Sequence, residues 1–195
     1  MLLIADILER VESKKVFTKL DLRWEYNNIR IKEGDKWKMV FTIYIGAYEP
    51  TIMYFRLTNS PAIFQTMINN LFHNIINQGS MATFIDNIIV AIGTEEGHNE
   101  IVEKVLKQLE ENDLFVKPEK YWWKVKEVEF LEVVIELKRV KMQKEKVEGV
   151  LNWPMLRNIK EVQKFLELAN YYRWFIKDFA RIAALLHQLV RKEKK

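Results

Sequence analysis

The chain has 195 residues, 49% hydrophobic and 30% charged, with a formal net charge of +4. That is enough for one domain or two small ones around a real core, with the balance of a globular protein. There is no cysteine, which excludes disulfides and thiolate zinc sites and suits a reducing compartment.

From the N-terminus, Ile4, Ile7, Leu8 and Val11 repeat at helical spacing, with Asp6 placed to cap that helix or sit in its first turn. Met1 to Ala5 is apolar but meets Asp6 at once. This is too short for a signal segment and no membrane span follows, so the chain is expected inside the cell and not secreted. Val16 to Leu22 is a β-prone stretch carrying an acid, Asp21. Phe41, Ile43 and Ile45 alternate with Val40, Thr42 and Tyr44 as a strand, with Gly46-Ala47 as the turn signal. Pro61 opens a helix over Ala62 to Ile76. Phe84-Ile85-Asp86-Asn87 then interrupts an apolar run that continues through Ile88, Ile89, Val90 and Ala91. The run reads as a buried strand or strand pair, and the polar pair Asp86-Asn87 suits a two-residue hairpin tip.

Ile101, Val105, Leu106 and Leu109 form one helical face, with Thr94 as cap and Asn112 as end. Trp122 and Trp123 adjoin a strand-like stretch, and one of the two is expected to face the core. Glu127 to Leu137 alternates as a strand or hairpin. Past Lys138 the pattern is helical. Val162, Phe165, Leu166, Ala169 and Tyr172 make one face; Ile182, Leu185, Leu186 and Leu189 make another. Asn158 with Glu161 fits a capping box. The aromatics of Tyr171 to Phe175 could stack on bases, but their helical spacing favours the core. His73, His98 and His187 have no metal-ligand spacing.

Charge is unevenly placed. Residues 138–195 hold 15 Lys and Arg against 6 Asp and Glu, a balance of +9, which leaves −5 on residues 1–137. The basic part would contact phosphates through a salt-sensitive, sequence-independent attraction; solvated helix faces are the alternative. Two strands that each deliver a carboxylate to one sheet edge could hold Mg2+, which takes one or two carboxylates plus substrate phosphates.

Phe17 to Tyr26 (FTKLDLRWEY) resembles the first palm motif of the reverse transcriptases of gypsy-class LTR retrotransposons. Met53 to Gln65 (MYFRLTNSPAIFQ) resembles the next motif, and Phe84-Ile85-Asp86-Asn87 sits where the family has Y-x-D-D. Val128 to Glu132, Trp153-Pro154 and Phe165 to Arg173 continue the likeness in family order. It covers about Ile4 to Leu189. The resemblance implies an α+β right-hand polymerase: an antiparallel palm sheet packed by helices, partial fingers and a helical thumb. The palm is expected over residues 1–137, with the partial fingers insertion at about 30–56, and the thumb-like helical segment over 138–195.

The resemblance also implies roles. Asp21 and Asp86 match metal-binding carboxylates, and Leu22 the residue whose carbonyl faces metal. Asn87 occupies the second Asp position of Y-x-D-D. Tyr26 matches the aromatic that excludes a ribose 2'-hydroxyl, and Phe55 and Arg56 fall beside the incoming nucleotide. Gln65 matches a polar residue near the template, and Phe130, Leu131 and Glu132 match the primer-gripping hairpin. Implied with them are two Mg2+, an RNA or DNA template with a DNA primer, and deoxynucleotides. The implied setting is cytoplasm, virus-like particle or nucleus, without membrane. The family's fingers segment upstream of Ile4 and its RNase H domain are expected from the parent polyprotein.

The chain departs from the family at five landmarks. Asn87 lacks the charge of an Asp, which at a metal site is on the order of several kcal/mol. Glu25, Arg56, Glu132 and Glu167 stand at family glycine positions. There they are expected to clash or leave charge unpaired. Asp→Asn, Gly→Glu and Gly→Arg each follow from one G-to-A transition. The reading is therefore an ancestral RNA-directed DNA polymerase with a weakened metal site, weak or inactive. The alternatives are a non-catalytic nucleic-acid-binding remnant and the product of a decaying element with no present function.

Overall fold

The computed structural model describes residues 10–11, 13–55 and 57–192. The expected helix at Ile4 to Leu8, its cap Asp6, and Arg56 lie outside these residues; Val11 is buried. The chain divides into two compact units, Met1–Leu131 with Ile135–Val140, and Glu132–Val134 with Lys141–Lys195.

The first unit is built on β1 (Val16–Asp21), β4 (Met81–Phe84), β5 (Asn87–Ile92) and β6 (Trp122–Val125), antiparallel in the order β4-β5-β1-β6. β1 and β5 are central, and their apolar runs are buried on both faces. Leu20 and Leu22 alternate with Asp21. The two leucines join Ile88 and Val90 in a core with Phe64, Ile68 and Phe72, Ile75 and Ile76, and Val102, Val105 and Leu109. Apart from Phe72, which joins the first two, the residues packed on the strands come from three helices: α1 (Ser60–Leu71), α2 (His73–Asn77) and α3 (Glu95–Glu111). The helix expected as one over Ala62 to Ile76 is thus two, separated at Phe72. Thr94 precedes α3 in extended conformation, though its side chain makes no capping bond. Asn112 ends α3, its amide donating to the Gln108 carbonyl at 2.8 Å.

Two expectations in this unit are corrected. The strand at Phe41 to Ile45 is a small hairpin of β2 (Phe41–Ile43) and β3 (Gly46–Tyr48). Its turn is Tyr44-Ile45; Gly46 opens the return strand, its φ of 145° supplying the bend. Trp122 and Trp123 are both exposed. β6 is an edge strand, and its pairing with β1 shifts register between Phe17 and Lys19, which removes the alternation that would have buried one ring.

β7 (Glu127–Phe130), β8 (Val133–Glu136) and β9 (Arg139–Met142) form a three-stranded sheet in chain order. The second unit carries α4 (Lys144–Leu151), α5 (Ile159–Tyr171) and α6 (Phe179–Lys192). α5 starts on the capping box read from sequence. Asn158 Oδ1 accepts from the Glu161 N–H at 3.0 Å, and Glu161 Oε2 accepts from the Arg157 N–H at 2.7 Å. Val162 and Leu166 of α5 pack on Ala183, Phe179, Leu186 and Val190 of α6. Ile182, Leu185 and Leu189, read with Leu186 as one apolar face, are exposed. Ala183 is buried in the contact instead. Tyr172 is fully buried while Trp174 is exposed.

Candidate active site

The hairpin of β4 and β5 turns on Ile85-Asp86, since Phe84 pairs with Asn87. The tip expected at Asp86-Asn87 is therefore one residue early, and Asn87 is the first residue of β5. Across β1, Asn87 pairs with Asp21. Asp86 is thus delivered by a turn and Asp21 by a strand end, at the same edge of one sheet.

Main-chain bonds fix that edge. The Leu22 N–H donates to the Asp86 carbonyl at 2.9 Å, and the Lys117 N–H to the Asp21 carbonyl at 2.8 Å. The Arg23 N–H donates to the Phe115 carbonyl at 2.7 Å, so residues 115–117 run beside the end of β1. Ile85 has a φ of 54°, unusual for a β-branched residue. Its N–H donates to Gln65 Oε1 at 2.7 Å. Gln65 Nε2 donates in turn to Thr83 Oγ1 at 3.0 Å and Asn69 Oδ1 at 2.9 Å. Gln65 is buried and braces the turn that carries Asp86.

The side chains converge on one ammonium. Lys117 Nζ donates to Asp21 Oδ1 and lies 3.5 Å from Asp86 Oδ2. Both carboxylates thus present an oxygen within 3.5 Å of one nitrogen, placing these oxygens at most about 7 Å apart. Lys120 Nζ lies 3.7 Å from Asp21 Oδ2 but is more exposed. Asn87 Nδ2 donates to Asp86 Oδ1 at 3.0 Å. Burial works against the charge on Lys117, but Asp21, Asp86 and Glu25 outweigh it and hold the ammonium above the usual lysine range. Tyr26 is buried against Phe64, with Phe55 6.5 Å from its ring on the exposed side. Burial first, then Glu25 and Asp86, raise its phenol.

The other sequence-singled residues lie elsewhere. Phe130 is fully buried. Leu131 and Glu132 make the turn into β8 at φ of 49° and 62°. Glu132 was expected to leave charge unpaired; instead Oε1 accepts from Lys146 at 3.0 Å and Oε2 from the Tyr172 hydroxyl at 3.1 Å. Lys146 above all, with Tyr172 behind it and against a burial cost, holds its carboxyl below the usual range. Burial and Glu132 raise the Tyr172 phenol. Of the other glycine-position residues, Glu25 is absent from the positive-φ backbone and Glu167 lies exposed on α5. Sequence reasoning missed Lys117, whose partner Asp21 is 96 residues away. The only local signal was a lysine before Pro118 at the end of a short apolar stretch.

Among the described residues no group of three or more His, Cys, Asp or Glu could hold a metal. Asp21 and Asp86 still fit a hard cation of the Mg2+ type, which needs one or two carboxylates and takes its other oxygens from water and phosphate. Residues 2–135 match the family described as reverse transcriptase (RNA-dependent DNA polymerase). The chain belongs to the reverse transcriptase family. This reverse transcriptase domain is 30% identical over 191 residues to the Transposon Tf2-7 polyprotein of Schizosaccharomyces pombe. It is 29% identical to the Tf2-3 polyprotein of the same yeast. Each alignment covers 98% of the chain and 14% of the polyprotein, so the chain spans about one seventh of the length of these curated relatives. A foamy viral protease-reverse transcriptase in complex with an RNA/DNA hybrid superposes with a TM-score of 0.85 at 27% identity. That match covers 97% of this chain and 26% of the other. The same viral protein in complex with dsDNA gives 0.86 at 26% identity, covering 98% and 40%. The chain is thus a reverse transcriptase-like domain of retrotransposon polyprotein type, α+β in fold and of RNA-directed DNA polymerase lineage. No helix among the described residues is long and apolar enough to cross a membrane.

Proposed function

We propose that the domain is a primer-extending nucleotidyl transferase module whose metal site is weakened, leaving weak or no activity in this chain. The observation that carries the reading is the meeting of Asp21 and Asp86 at one sheet edge, with oxygens within reach of a single cation. Residues 1–137 act as palm, with the fingers insertion at about 30–56, and residues 138–195 as a thumb-like segment. Asp21, Asp86 and the Leu22 carbonyl would hold Mg2+, and Asn87 contributes a neutral amide where a third charge would strengthen the site. A divalent ion bound there would activate the primer hydroxyl and stabilise the leaving pyrophosphate. Tyr26, its ring held by Phe64 and flanked by Phe55, bounds the nucleotide side, with Arg56 on the same segment. Gln65 and the Phe130-Leu131-Glu132 hairpin are assigned to the template-primer side. The RNA/DNA hybrid and dsDNA bound by the foamy viral protein support nucleic acid as the partner. The setting is intracellular, within a longer polyprotein.

The test is incorporation of labelled deoxynucleotide on an RNA template with a DNA primer, in Mg2+ and then Mn2+, with Asp21→Asn as the blank. Incorporation at or just above the blank is expected. Asn87→Asp alone leaves it low, because Arg56 and Glu132 still stand at the family's glycine positions on the nucleotide and primer sides. Robust extension by the unaltered chain would overturn the weakened-site reading. The second reading, nucleic-acid binding without chemistry, is favoured by the +9 balance of residues 138–195. It requires duplex binding that falls steeply with salt and is indifferent to Asp21→Asn.

A further inference from the structure

The two carboxylates are already shared by a cation of the protein's own. Lys117 reaches them from a main chain that is pinned. Its N–H is bonded to the Asp21 carbonyl, Val116 bridges Leu22, and Pro118 follows. Its side chain is about three-quarters buried, with a relative exposure of 23%. An ammonium held in this way is part of the site and not a passing surface contact. Lys120, at 60% exposure, is a looser second cation beside Asp21. Arg23 is engaged with Glu119 at 3.6 Å. Glu25 is the further acid that acts on Lys117.

We propose that Lys117 is a tethered competitor of the divalent metal: its ammonium bridges Asp21 and Asp86 in the metal-free protein and must leave for both carboxylates to ligate one ion. The inference rests on the metal-site reading above. The charge at position 87 bears on the contest. Asp21 and Asp86 supply the two negative charges that Lys117 and Lys120 contact, Glu25 acts on Lys117 without an ion pair, and Asn87 adds no charge. A third carboxylate would leave an excess that only a multiply charged ion could satisfy. The neutral amide thus shifts the contest toward the lysine. Lys117→Met keeps the aliphatic stem and removes the competitor.

The experiment follows Mn2+ binding by equilibrium dialysis in the wild-type chain, Lys117→Met, Lys117→Arg and Asp21→Asn. Alongside it, the acetylation rate of Lys117 in the wild-type chain is read by mass spectrometry with and without Mn2+. Lys117→Met should bind Mn2+ at least tenfold more tightly than wild type, and Lys117→Arg should not. Acetylation of Lys117 should accelerate severalfold as Mn2+ saturates, because the ammonium is released from its carboxylates. This second readout needs no variant to fold. If Mn2+ binds in an Asp21-dependent way while Lys117 reactivity stays unchanged, the competition is overturned and the metal site stands. If neither wild type nor Lys117→Met binds Mn2+ saturably, the metal-site reading itself fails and the competition with it.

Discussion

Ile85 shows how much of the site depends on one side chain that does not face it. A β-branched residue in the left-handed region costs on the order of 1–3 kcal/mol and persists only where its surroundings determine it. Gln65 supplies that determination. It accepts the Ile85 N–H, and its own amide is satisfied by Thr83 and Asn69. Every polar atom of the Gln65 side chain is thereby used, which explains a buried amide in the middle of an amphipathic helix. Gln65→Leu fills the same volume but strands the Ile85 N–H, while the Thr83 hydroxyl keeps its bond to Asn69 Oδ1 at 3.0 Å. The expected loss is about 1–3 kcal/mol in urea unfolding. The loss should be accompanied by faster hydrogen exchange at Ile85 and Asp86. Unchanged stability would mean that water replaces the amide, and the brace would then be incidental.

At the scale of elements, periodicity carried the reading and turn chemistry limited it. The strand at Asp21, the helical character of Ala62 to Ile76 (though not its break at Phe72) and the helical pattern after Lys138 were legible because burial imposes a period of two or 3.6 on the sequence. The carboxylate pair was legible through motif and position. The turns were not, because their left-handed positions are held by Ile85, Leu131 and Glu132, residue types that do not announce a turn. Contacts set by tertiary partners left no local trace either: Lys117 on Asp21, and Glu132 between Lys146 and Tyr172. The second of these can be tested by a coupled pair. Glu132→Gly relieves a left-handed backbone cost of about 1–2 kcal/mol. It also orphans the buried Tyr172 hydroxyl, at about 1–3 kcal/mol. Tyr172→Phe should destabilise the wild-type chain yet stabilise Glu132→Gly, so the two effects are non-additive. Additive melting shifts would show that the hydroxyl does not depend on Glu132.

At the scale of the first unit as a folded body, a polar contact inside the core ties α3 to the sheet. His98 of α3 is fully buried, its Nε2 2.8 Å from Thr18 Oγ1 of β1, and its Nδ1 has no partner among the described residues. Thr18 Oγ1 also accepts from the Lys124 N–H on β6, at 3.2 Å. Burial first, then the Lys124 cation, lower the His98 pKa, with Glu95 opposing. The sign of the linkage follows. An unfolded histidine takes its proton near pH 6.5, whereas the folded one resists until lower pH. Stability is therefore full above about pH 6.5 and is lost as pH falls from there toward the folded pKa, by at most about 1.4 kcal/mol per pH unit. His73 and His187 are exposed. The expected result is that protection of the β1 and β5 amides against hydrogen exchange, corrected for intrinsic rate, falls between pH 7 and 5. Lys124→Gln removes the second cause of the shift, so the fall should be shallower in that variant. A protection profile flat across this range would mean that His98 takes its proton without opening the core, and that α3 yields locally to admit it.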